Sequence, residues 1–299
     1  MDNQNNLNLT AQVNYPGIDV SSYKGTVDWA QAAKSGISFA ILRSITAGLD
    51  IDSEFENNYS GCRANGLATG IYVFSYALTP QEAVLEASAA VNLMAGRDLE
   101  LPIFIDMEWK RQRELGTQAV TAIAQAFLDT VTNNTTYQAG IYCDQDWYDN
   151  VLDTGALSCP FWIAKYTGTP DPADKPQAKN LIAWQYTSLG TVPGVTGAVD
   201  RNVGYTERFA PIPQKPKTGQ WVQESDGRWW YREPDGSYPA SQWKLISQKW
   251  YYFDADGYMS TGLTKIDGES YYLCEEQGAD EGACMITDAK GALHVWIVE

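Results

Sequence analysis

Residues 101–109, LPIFIDMEW, decide the fold because an almost wholly apolar run leads directly into two acids, Asp106 and Glu108. Such a run is typical of a strand that is covered on both faces in a parallel sheet. Side chains at positions i and i+2 of a strand point the same way, with their Cα atoms about 6.6 Å apart. We therefore expect the two acids to share one small space at the end of this strand.

Two neighbouring carboxyl groups suit the hydrolysis of a glycosidic bond. One acid protonates the departing oxygen, and the second carboxylate, or a group that it positions, meets the developing oxocarbenium charge. The alternative is that Asp106 and Glu108 are ordinary solvent-facing acids, with Asp106 capping the next element. The position of the pair favours the functional interpretation, because α/β barrels build their active sites at the carboxyl ends of buried strands.

Charge and composition argue against several other functions. The 299-residue chain has a net charge of −16, which opposes attraction to a phosphate backbone and argues against a nucleic-acid partner. Its single histidine, His294, would have to carry any histidine-based triad or zinc site alone, so we expect no metal and no cofactor. No segment reaches the roughly 18 apolar residues of a membrane span, and residues 1–10 lack the basic and apolar regions of a signal peptide.

The five cysteines indicate neither a disulfide framework nor a zinc ribbon, because they are odd in number and show no Cys-x-x-Cys pairing. We expect most of them to be buried thiols. The alternative, for Cys274 and Cys284, is a disulfide across a hairpin.

Apolar runs alternate with segments of helical period from residue 15 to about residue 205, which predicts a parallel α/β sheet or barrel. The predicted strands lie near residues 17–20, 38–45, 69–76, 102–107, 138–143, 161–165, 181–186 and 198–200. The predicted helices lie at 28–35, 53–65, 80–95 and 117–131. Helices are missing between the last strands, so we expect an incomplete barrel. Acids and aromatic residues recur at the strand ends and should gather at one mouth: Asp19, Asp106, Glu108, Tyr142, Trp162, Gln185 and Asp200.

The composition divides the chain into four segments. An N-terminal extension covers residues 1–14, and the barrel covers residues 15–208. Residues 209–218 contain APIPQKPKT with no apolar periodicity, as expected of a linker rich in Pro and Lys. Residues 219–299 form a separate domain.

This last segment repeats with a period of 21 residues. WWYREPDG (229–236), WYYFDADG (250–257) and YYLCEEQG (271–278) follow one another with their glycines in register. The repeat predicts stacked β-hairpins, each made of an aromatic strand, an acidic-Gly turn and a return strand. Residues 219–299 carry 14 acidic, 6 basic and 14 aromatic side chains, a net charge of −8. This composition suits a cation enclosed by two or three rings, while the remaining rings form the small core.

The segment from about residue 15 to 205 resembles the family 25 glycoside hydrolases, the lysozyme-type muramidases of phages, bacteria and fungi. The resemblance implies a flattened barrel of eight strands and about five helices. It also implies cleavage of the β-1,4 bond between N-acetylmuramic acid and N-acetylglucosamine in the glycan strands of peptidoglycan. The blocks that carry it occur in the family's order: GIDVSSYKGTVDW, FAILRSI, GIYVFSY, IFIDMEW, AGIYC, FWIAKY, IAWQY and VDRN.

Carried over by motif, Glu108 is the general acid and Asp106 the partner carboxylate, with Asp19 and Asp200 as supports. We expect Glu108 to keep its proton near neutral pH, because three neighbouring acids disfavour a further charge, and Asp106 to stay ionised. The spacing fits direct attack, activation of water or orientation of the substrate's 2-acetamido group, and the resemblance favours the last. The candidate sugar contacts, each with simple packing as its alternative, are Tyr72, Phe74, Tyr142, Trp162 and Gln185.

The C-terminal repeats resemble choline-binding or related cell-wall-binding repeats, most closely at residues 243–262, where the segment MSTG (259–262) occurs. The resemblance implies choline or another cell-wall polymer as the partner. The candidate rings that bind it are Trp229, Trp243, Trp250, Tyr252 and Tyr271.

Together these features predict a phage or prophage endolysin that is made in the host cytoplasm, is released through a holin and acts at the bacterial cell wall. One alternative is a wall-binding protein whose barrel no longer catalyses. Another is a barrel hydrolase of a different amino-sugar polymer, such as chitin.

Overall fold

A computed structural model of the protein describes residues 14–213, 219–288 and 290–298. Contacts between Cα atoms divide the chain into two compact units, Met1–Gln214 and Lys215–Glu299. Residues 1–13 of the predicted extension and residues 214–218 of the predicted linker lie outside the described residues. Within the described ranges, no helix has both the length and the apolar character needed to cross a bilayer.

The first unit is a closed barrel of eight strands, β1 to β8, that lie in sequence order around it. Neighbouring strands from β1 to β7 pair in parallel. The last strand, β8, is antiparallel to both β7 and β1, a reversal that a parallel barrel pattern does not predict. The strands are Tyr15–Val20, Phe39–Ile45, Ala68–Phe74, Ile103–Asp106, Ala139–Asp144, Phe161–Ala164, Leu181–Gly190 and Val199–Gly204.

Six α-helices are present in the described part of this unit, two more than the periodicity predicts. The four predicted helices are α1, α2, α3 and α5, whereas α4 and α6, with four and six residues, were not predicted. Only a 3₁₀ turn, Pro172–Asp174, separates β6 from β7. The helices are Trp29–Lys34, Phe55–Ala64, Pro80–Met94, Lys110–Arg113, Thr117–Asn134 and Gln145–Asn150.

Strand alternation separates the core of the barrel into two layers. Ile103 and Ile105 of β4 pack outward in a cluster that includes the apolar faces of the helices. Phe104, between them, belongs to a second cluster made of the inward faces of the strands, and its ring centroid lies 5.4 Å from that of Trp162. Because successive side chains alternate, Asp106 points the same way as Phe104, towards the barrel mouth.

Barrel packing continues past the predicted boundary at residue 208. The side chain of Phe209 is fully buried, and its ring packs edge-on against Phe39 at a centroid distance of 4.7 Å. The backbone N–H of Ile212 donates to the carbonyl oxygen of Gly66 at 2.7 Å. The chain therefore stays attached to the barrel up to residue 212.

The second unit consists of short antiparallel strands, β9 to β16. Two pairs, β9 with β10 and β11 with β12, form separate two-stranded sheets, and the remaining four strands form one sheet in sequence order. A small cluster of buried side chains holds the unit together: Tyr231, Ile246, Tyr251, Phe253 and Ala283. The strands are Gln220–Gln223, Trp229–Arg232, Gln242–Ile246, Lys249–Phe253, Gly262–Ile266, Glu269–Leu273, Cys284–Thr287 and Leu293–Val295.

Two hairpins of this unit close at turns other than the acidic-Gly turns that the repeat predicts. The turn between β11 and β12 is Ser247-Gln248, and that between β13 and β14 is Asp267-Gly268, all with positive φ. Two-residue turns with positive φ match the twist of antiparallel strands.

The predicted acidic-Gly turn at residues 254–257 follows β12 and folds the chain back onto it. Phe253 forms an antiparallel bridge with Met259, and the N–H of Ser260 donates to the carbonyl of Tyr252 at 2.9 Å. The return segment of this predicted hairpin is an isolated bridge and not a full strand.

All five cysteines are buried free thiols. Cys274 and Cys284 lie on adjacent chain segments, because Leu273 pairs with Cys284 and the N–H of Cys274 donates to the carbonyl of Ala283.

Candidate active site

The four acids singled out in the sequence line one cavity of about 300 Å³ at the mouth of the barrel. Asp19 lies in β1, Asp106 ends β4, and Glu108 follows two residues later. Asp200 pairs with Asp19 across the β1–β8 ladder. Because β8 is antiparallel, Asp200 near its beginning lies at the same rim as the ends of the parallel strands.

The backbone beyond β4 explains why Asp106 and Glu108 face the same space. The N–H of Met107 donates to the carbonyl of Tyr142 at 2.9 Å, so the chain continues beside β5 past the end of the strand. Met107 itself is fully buried in the outer core cluster. The two acids on either side of it therefore point the other way, into the cavity.

Asp19 is held by two amides. Gln185 Nε2 donates to Asp19 Oδ2 at 2.9 Å, and Asn202 Nδ2 donates to the same oxygen at 2.8 Å. These bonds satisfy a carboxyl group that is almost wholly buried, and buried polar groups without partners are costly. Asp19 is therefore fixed in orientation.

Three aromatic side chains in turn hold these amides. The hydroxyls of Tyr142 and Tyr166 each donate to Gln185 Oε1 at 2.8 Å. The indole Nε1 of Trp162 donates to Asn202 Oδ1 at 2.8 Å. The hydrogen-bond network thus fixes which end of each amide faces Asp19.

Asp106 lacks comparable support. Asp106 is only 4 % exposed, and no donor among the described residues reaches its buried Oδ1 atom. Burial, together with the charges of Glu108 and Asp19, raises the pKa of Asp106 well above its ordinary value. This result differs from the expectation that Asp106 stays ionised, because no hydrogen bond offsets the cost of burying its charge.

The other three acids also resist ionisation. Desolvation, followed by the charges of Asp144 and Asp200, raises the pKa of Glu108. Burial and the charge of Asp200 raise the pKa of Asp19 to about 7, against the opposing effect of its amide hydrogen bonds. Burial also raises the pKa of Asp200, while the nearby Lys24 ammonium group lowers it. Each of the four carboxyl groups therefore keeps its proton to a higher pH than an exposed carboxyl group would.

Glu108 also lines a second cavity, of about 480 Å³. That cavity has a mixed charge, with Lys110 and Arg113 from α4 beside Glu114 and Asp144. Glu108 thus borders two cavities, one of which is also lined by the other three acids.

All five predicted sugar contacts line the first cavity, but their accessibility differs. Tyr72 and Phe74 are partly exposed. Tyr142 and Gln185 are nearly buried, and Trp162 is only 1 % exposed. These three side chains therefore build the wall and the hydrogen-bond network, and they offer little surface to a ligand.

Several residues of the site escaped the sequence analysis. Asn202, which donates to Asp19, follows Asp200 by two positions, so strand alternation could have placed it on the same face. Tyr166 lies two residues after β6 and could have been included with the other strand-end aromatics. The remaining ones lie beside β1 or on β2 and carry no distinctive spacing: Ser21, Tyr23, Lys24 and Arg43.

Within the described ranges, no group of three or more His, Cys, Asp or Glu side chains is arranged to hold a metal ion.

The described part of the second unit has three cavities lined by aromatic rings. One of them, of about 210 Å³, is lined by Trp230, Tyr238 and Tyr258, none of which was among the predicted ligand contacts.

Trp243, Trp250 and Tyr271, all singled out in the sequence, enclose about 260 Å³ together with Trp296, which the sequence analysis missed. Tyr252 lines none of the three cavities; it lies opposite Trp243 in the β11–β12 ladder and packs edge-on against it at 5.4 Å.

The third aromatic cavity, of about 200 Å³, contains Trp229. It is completed by Trp221, Tyr251 and Met259, none of which was among the predicted ligand contacts. The signal for Trp221 was weak because its strand, QWVQ, departs from the repeated aromatic motif.

The chain matches three family models. The model of glycosyl hydrolases family 25 matches residues 18–195. A choline-binding repeat model matches residues 240–280, and a putative cell wall binding repeat model matches residues 219–238.

Similar proteins include lysozymes and an endolysin. Lysozyme M1 of Streptomyces globisporus is 28% identical over 198 residues, which cover 62% of this chain and 66% of that protein. The autolytic lysozyme of Clostridium acetobutylicum is 25% identical over 184 residues, 62% of this chain and 54% of that protein. The alignment with the crystal structure of the CTP1L endolysin covers 65% of this chain and 67% of the endolysin chain, at 27% identity and a TM-score of 0.55.

Proposed function

Since the chain belongs to glycosyl hydrolases family 25, we propose that it is a muramidase. It cleaves the β-1,4 bond between N-acetylmuramic acid and N-acetylglucosamine in peptidoglycan. The observation that carries this proposal is the gathering of Asp19, Asp106, Glu108 and Asp200 in one cavity at the barrel mouth. Two or more carboxyl groups around one bond are what glycoside hydrolysis needs.

Glu108 is the proton donor in this proposal. Its raised pKa, caused by desolvation and by Asp144 and Asp200, favours the protonated form that a general acid requires. Glu108 also lines two cavities, which suits the role because the donor must reach an oxygen that joins two sugars. The sugar that receives the positive charge would lie on the side of Asp106, and the leaving sugar on the side of Lys110.

Asp106 orients the substrate in this proposal. Asp106 lines the cavity, and no donor among the described residues reaches its Oδ1 atom, so its carboxyl group is the proposed acceptor for the N–H of the substrate's 2-acetamido group. That bond favours the ionised carboxylate and turns the acetamido carbonyl oxygen towards the anomeric carbon. The acetamido oxygen then attacks as Glu108 protonates the leaving oxygen, and water later opens the resulting ring. Asp19 and Asp200 stabilise the developing positive charge.

The exposed edges of Tyr72 and Phe74 are the proposed contacts with the sugar rings, since both side chains line the cavity and remain partly accessible. Tyr142, Trp162 and Gln185 contribute mainly through the network that holds Asp19.

The second unit is proposed to bind choline or another polymer of the cell wall. Two observations support a cationic ligand: the cage of Trp243, Trp250, Tyr271 and Trp296, and the net charge of −8 over residues 219–299. Ring faces attract quaternary ammonium groups, and a negative surface adds to that attraction. The cavity around Trp229 is the second candidate site.

The protein acts at the bacterial cell wall. Release through a holin is a further part of the proposal, supported by the similarity to the CTP1L endolysin.

Digestion of purified peptidoglycan tests the catalytic proposal. The expected result is new reducing ends at N-acetylmuramic acid, identified by mass spectrometry of the released muropeptides. Chitin, digested in parallel, should yield far fewer new reducing ends. Release of peptides without new reducing ends would contradict the proposal. A separate assay of binding to choline-containing cell walls, with free choline as the competitor, tests the ligand of the repeats.

A further inference from the structure

Tyr23 is the most exposed large apolar or aromatic side chain in the described residues, at 87 %. It nevertheless lines the same cavity as the four acids. An aromatic ring left in water forgoes the free energy that burial would provide. Tyr23 is also not needed to pack the barrel, since it belongs to neither core cluster.

The turn that carries Tyr23 is rigidly supported. Ser22–Lys24 form a single 3₁₀ turn, and the N–H of Ser22 donates to both carboxylate oxygens of Asp52 at 3.1 and 3.2 Å. The Asp52 side chain is fully buried and pairs with Arg43 Nε at 2.6 Å. Arg43 also donates from Nη2 to Ser22 Oγ at 2.7 Å. A buried ion pair on one side of an exposed turn fixes its position.

Two further contacts orient the ring and close the turn. The guanidinium carbon of Arg43 lies 4.8 Å from the centroid of the Tyr23 ring, within the range of a cation–π interaction. Lys24 Nζ donates to the carbonyl of Ala198 at 2.6 Å, which ties the turn to the segment that precedes β8. The exposed part of the ring is thus held beside the cavity by a charge network.

We propose that Tyr23 forms an outer sugar subsite, in which a pyranose ring of the glycan strand packs on the exposed face of the phenol ring. This inference rests on the proposed function. Aromatic faces suit such ligands, because they give a large apolar area with little loss of side-chain freedom. A glycan long enough to fill the acid-lined cavity and extend beyond it would reach Tyr23. The subsite would hold a sugar that takes no part in the chemical step.

Such a subsite has a definite kinetic signature. A contact made equally in the ground state and the transition state changes KM and leaves kcat unchanged. The contact also requires the extra sugar unit, so it affects only longer chains.

The test measures kcat and KM of the full-length protein on peptide-free peptidoglycan oligosaccharides of increasing length. For Tyr23→Ala, KM should rise about tenfold on the longer chains, equivalent to about 1.4 kcal/mol, with kcat unchanged and the shortest cleavable chain unaffected. Tyr23→Phe keeps the ring and should retain a KM within about twofold of the wild type. Leu189→Ala is a matched control, because Leu189 is 81 % exposed and does not line the cavity.

Two results would overturn the subsite while leaving the muramidase proposal intact. One is an unchanged KM of Tyr23→Ala on every chain that the wild type cleaves. The other is an equal change on short and long chains. If the muramidase proposal itself is wrong, the result is different, because the wild-type protein will cleave none of these oligosaccharides.

Discussion

The barrel and the repeat unit depart from ordinary folding preferences in opposite ways. The barrel hides charged groups: Asp19 and Asp106 are almost wholly buried at its mouth. The repeat unit instead leaves apolar groups accessible, since Trp243, Trp250 and Tyr271 are only partly buried and Trp296 is exposed. Burial of carboxyl groups and exposure of large rings both reduce stability. The comparison teaches that each unit gives up stability at the place where its proposed ligand would bind.

The two units differ in what they can bury elsewhere. In the barrel, two extensive apolar clusters fill the interior and the layer between strands and helices. In the repeat unit, the cluster of buried side chains has only five members. A small unit with so little core needs its aromatic residues for packing as well as binding. This explains why Tyr251 belongs to the core cluster and also lines the cavity with Trp229.

The largest expected effect is the loss of activity when the proton donor in the barrel is removed. Glu108→Gln keeps the shape of the side chain but cannot protonate the leaving oxygen. We expect the rate of reducing-end release to fall on the order of a thousandfold, with the thermal unfolding midpoint nearly unchanged.

The matched control is Glu56→Gln, which alters an exposed carboxyl group of α2 and should keep the wild-type rate. A rate for Glu108→Gln within tenfold of the wild-type rate would show that Glu108 is not the proton donor. The barrel and the repeat unit could then no longer be contrasted as a catalytic unit and a binding unit.

A smaller effect is expected from the aromatic cage of the repeat unit. Trp250→Ala removes one of its four rings, and a desolvated cation–π contact contributes up to about 2 kcal/mol. Calorimetric titration with choline should therefore show roughly tenfold weaker binding, while cleavage of soluble oligosaccharides continues unchanged.

Tyr272→Ala is the control for the cage. It alters the neighbour of Tyr271 in β14, a ring that is absent from the cage, and should leave choline binding intact. Equal losses in both variants would mean that the rings of this unit act only in packing.

The smallest expected effect concerns stability and its dependence on pH. The pKa of Asp106 is raised in the folded protein, so the unfolded chain releases this proton at a lower pH. Folding stability therefore falls as pH rises from about 4 towards the raised pKa. Asp106→Asn removes this titration. In urea unfolding, the variant should gain stability relative to the wild type between pH 5 and pH 8, by at least about 1 kcal/mol.

Asp129→Asn, at an exposed position of α5, should change the free energy of unfolding by no more than about 0.5 kcal/mol at either pH. A constant difference between Asp106→Asn and the wild type across this range would show that burial of Asp106 carries no electrostatic cost.

Sequence alone located the barrel strands and the pair of acids after β4. Hydrophobic runs and strand alternation are local properties, so all eight strands of the barrel and four of the six helices in its described part could be located from them. The period of 21 residues likewise located the repeat unit, and three of its predicted rings, Trp243, Trp250 and Tyr271, share one cavity.

The tertiary structure decided what depends on contacts between distant segments. The antiparallel direction of β8 places Asp200 opposite Asp19, and two amides, from Gln185 and Asn202, meet at one carboxylate oxygen. Neither the missing partner of Asp106 nor the closure of a cage by Trp296 has a local signal. The burial of a side chain, its pKa and the geometry of a ligand site all depend on neighbours that only folding brings together. For that reason they could be determined only from the folded chain.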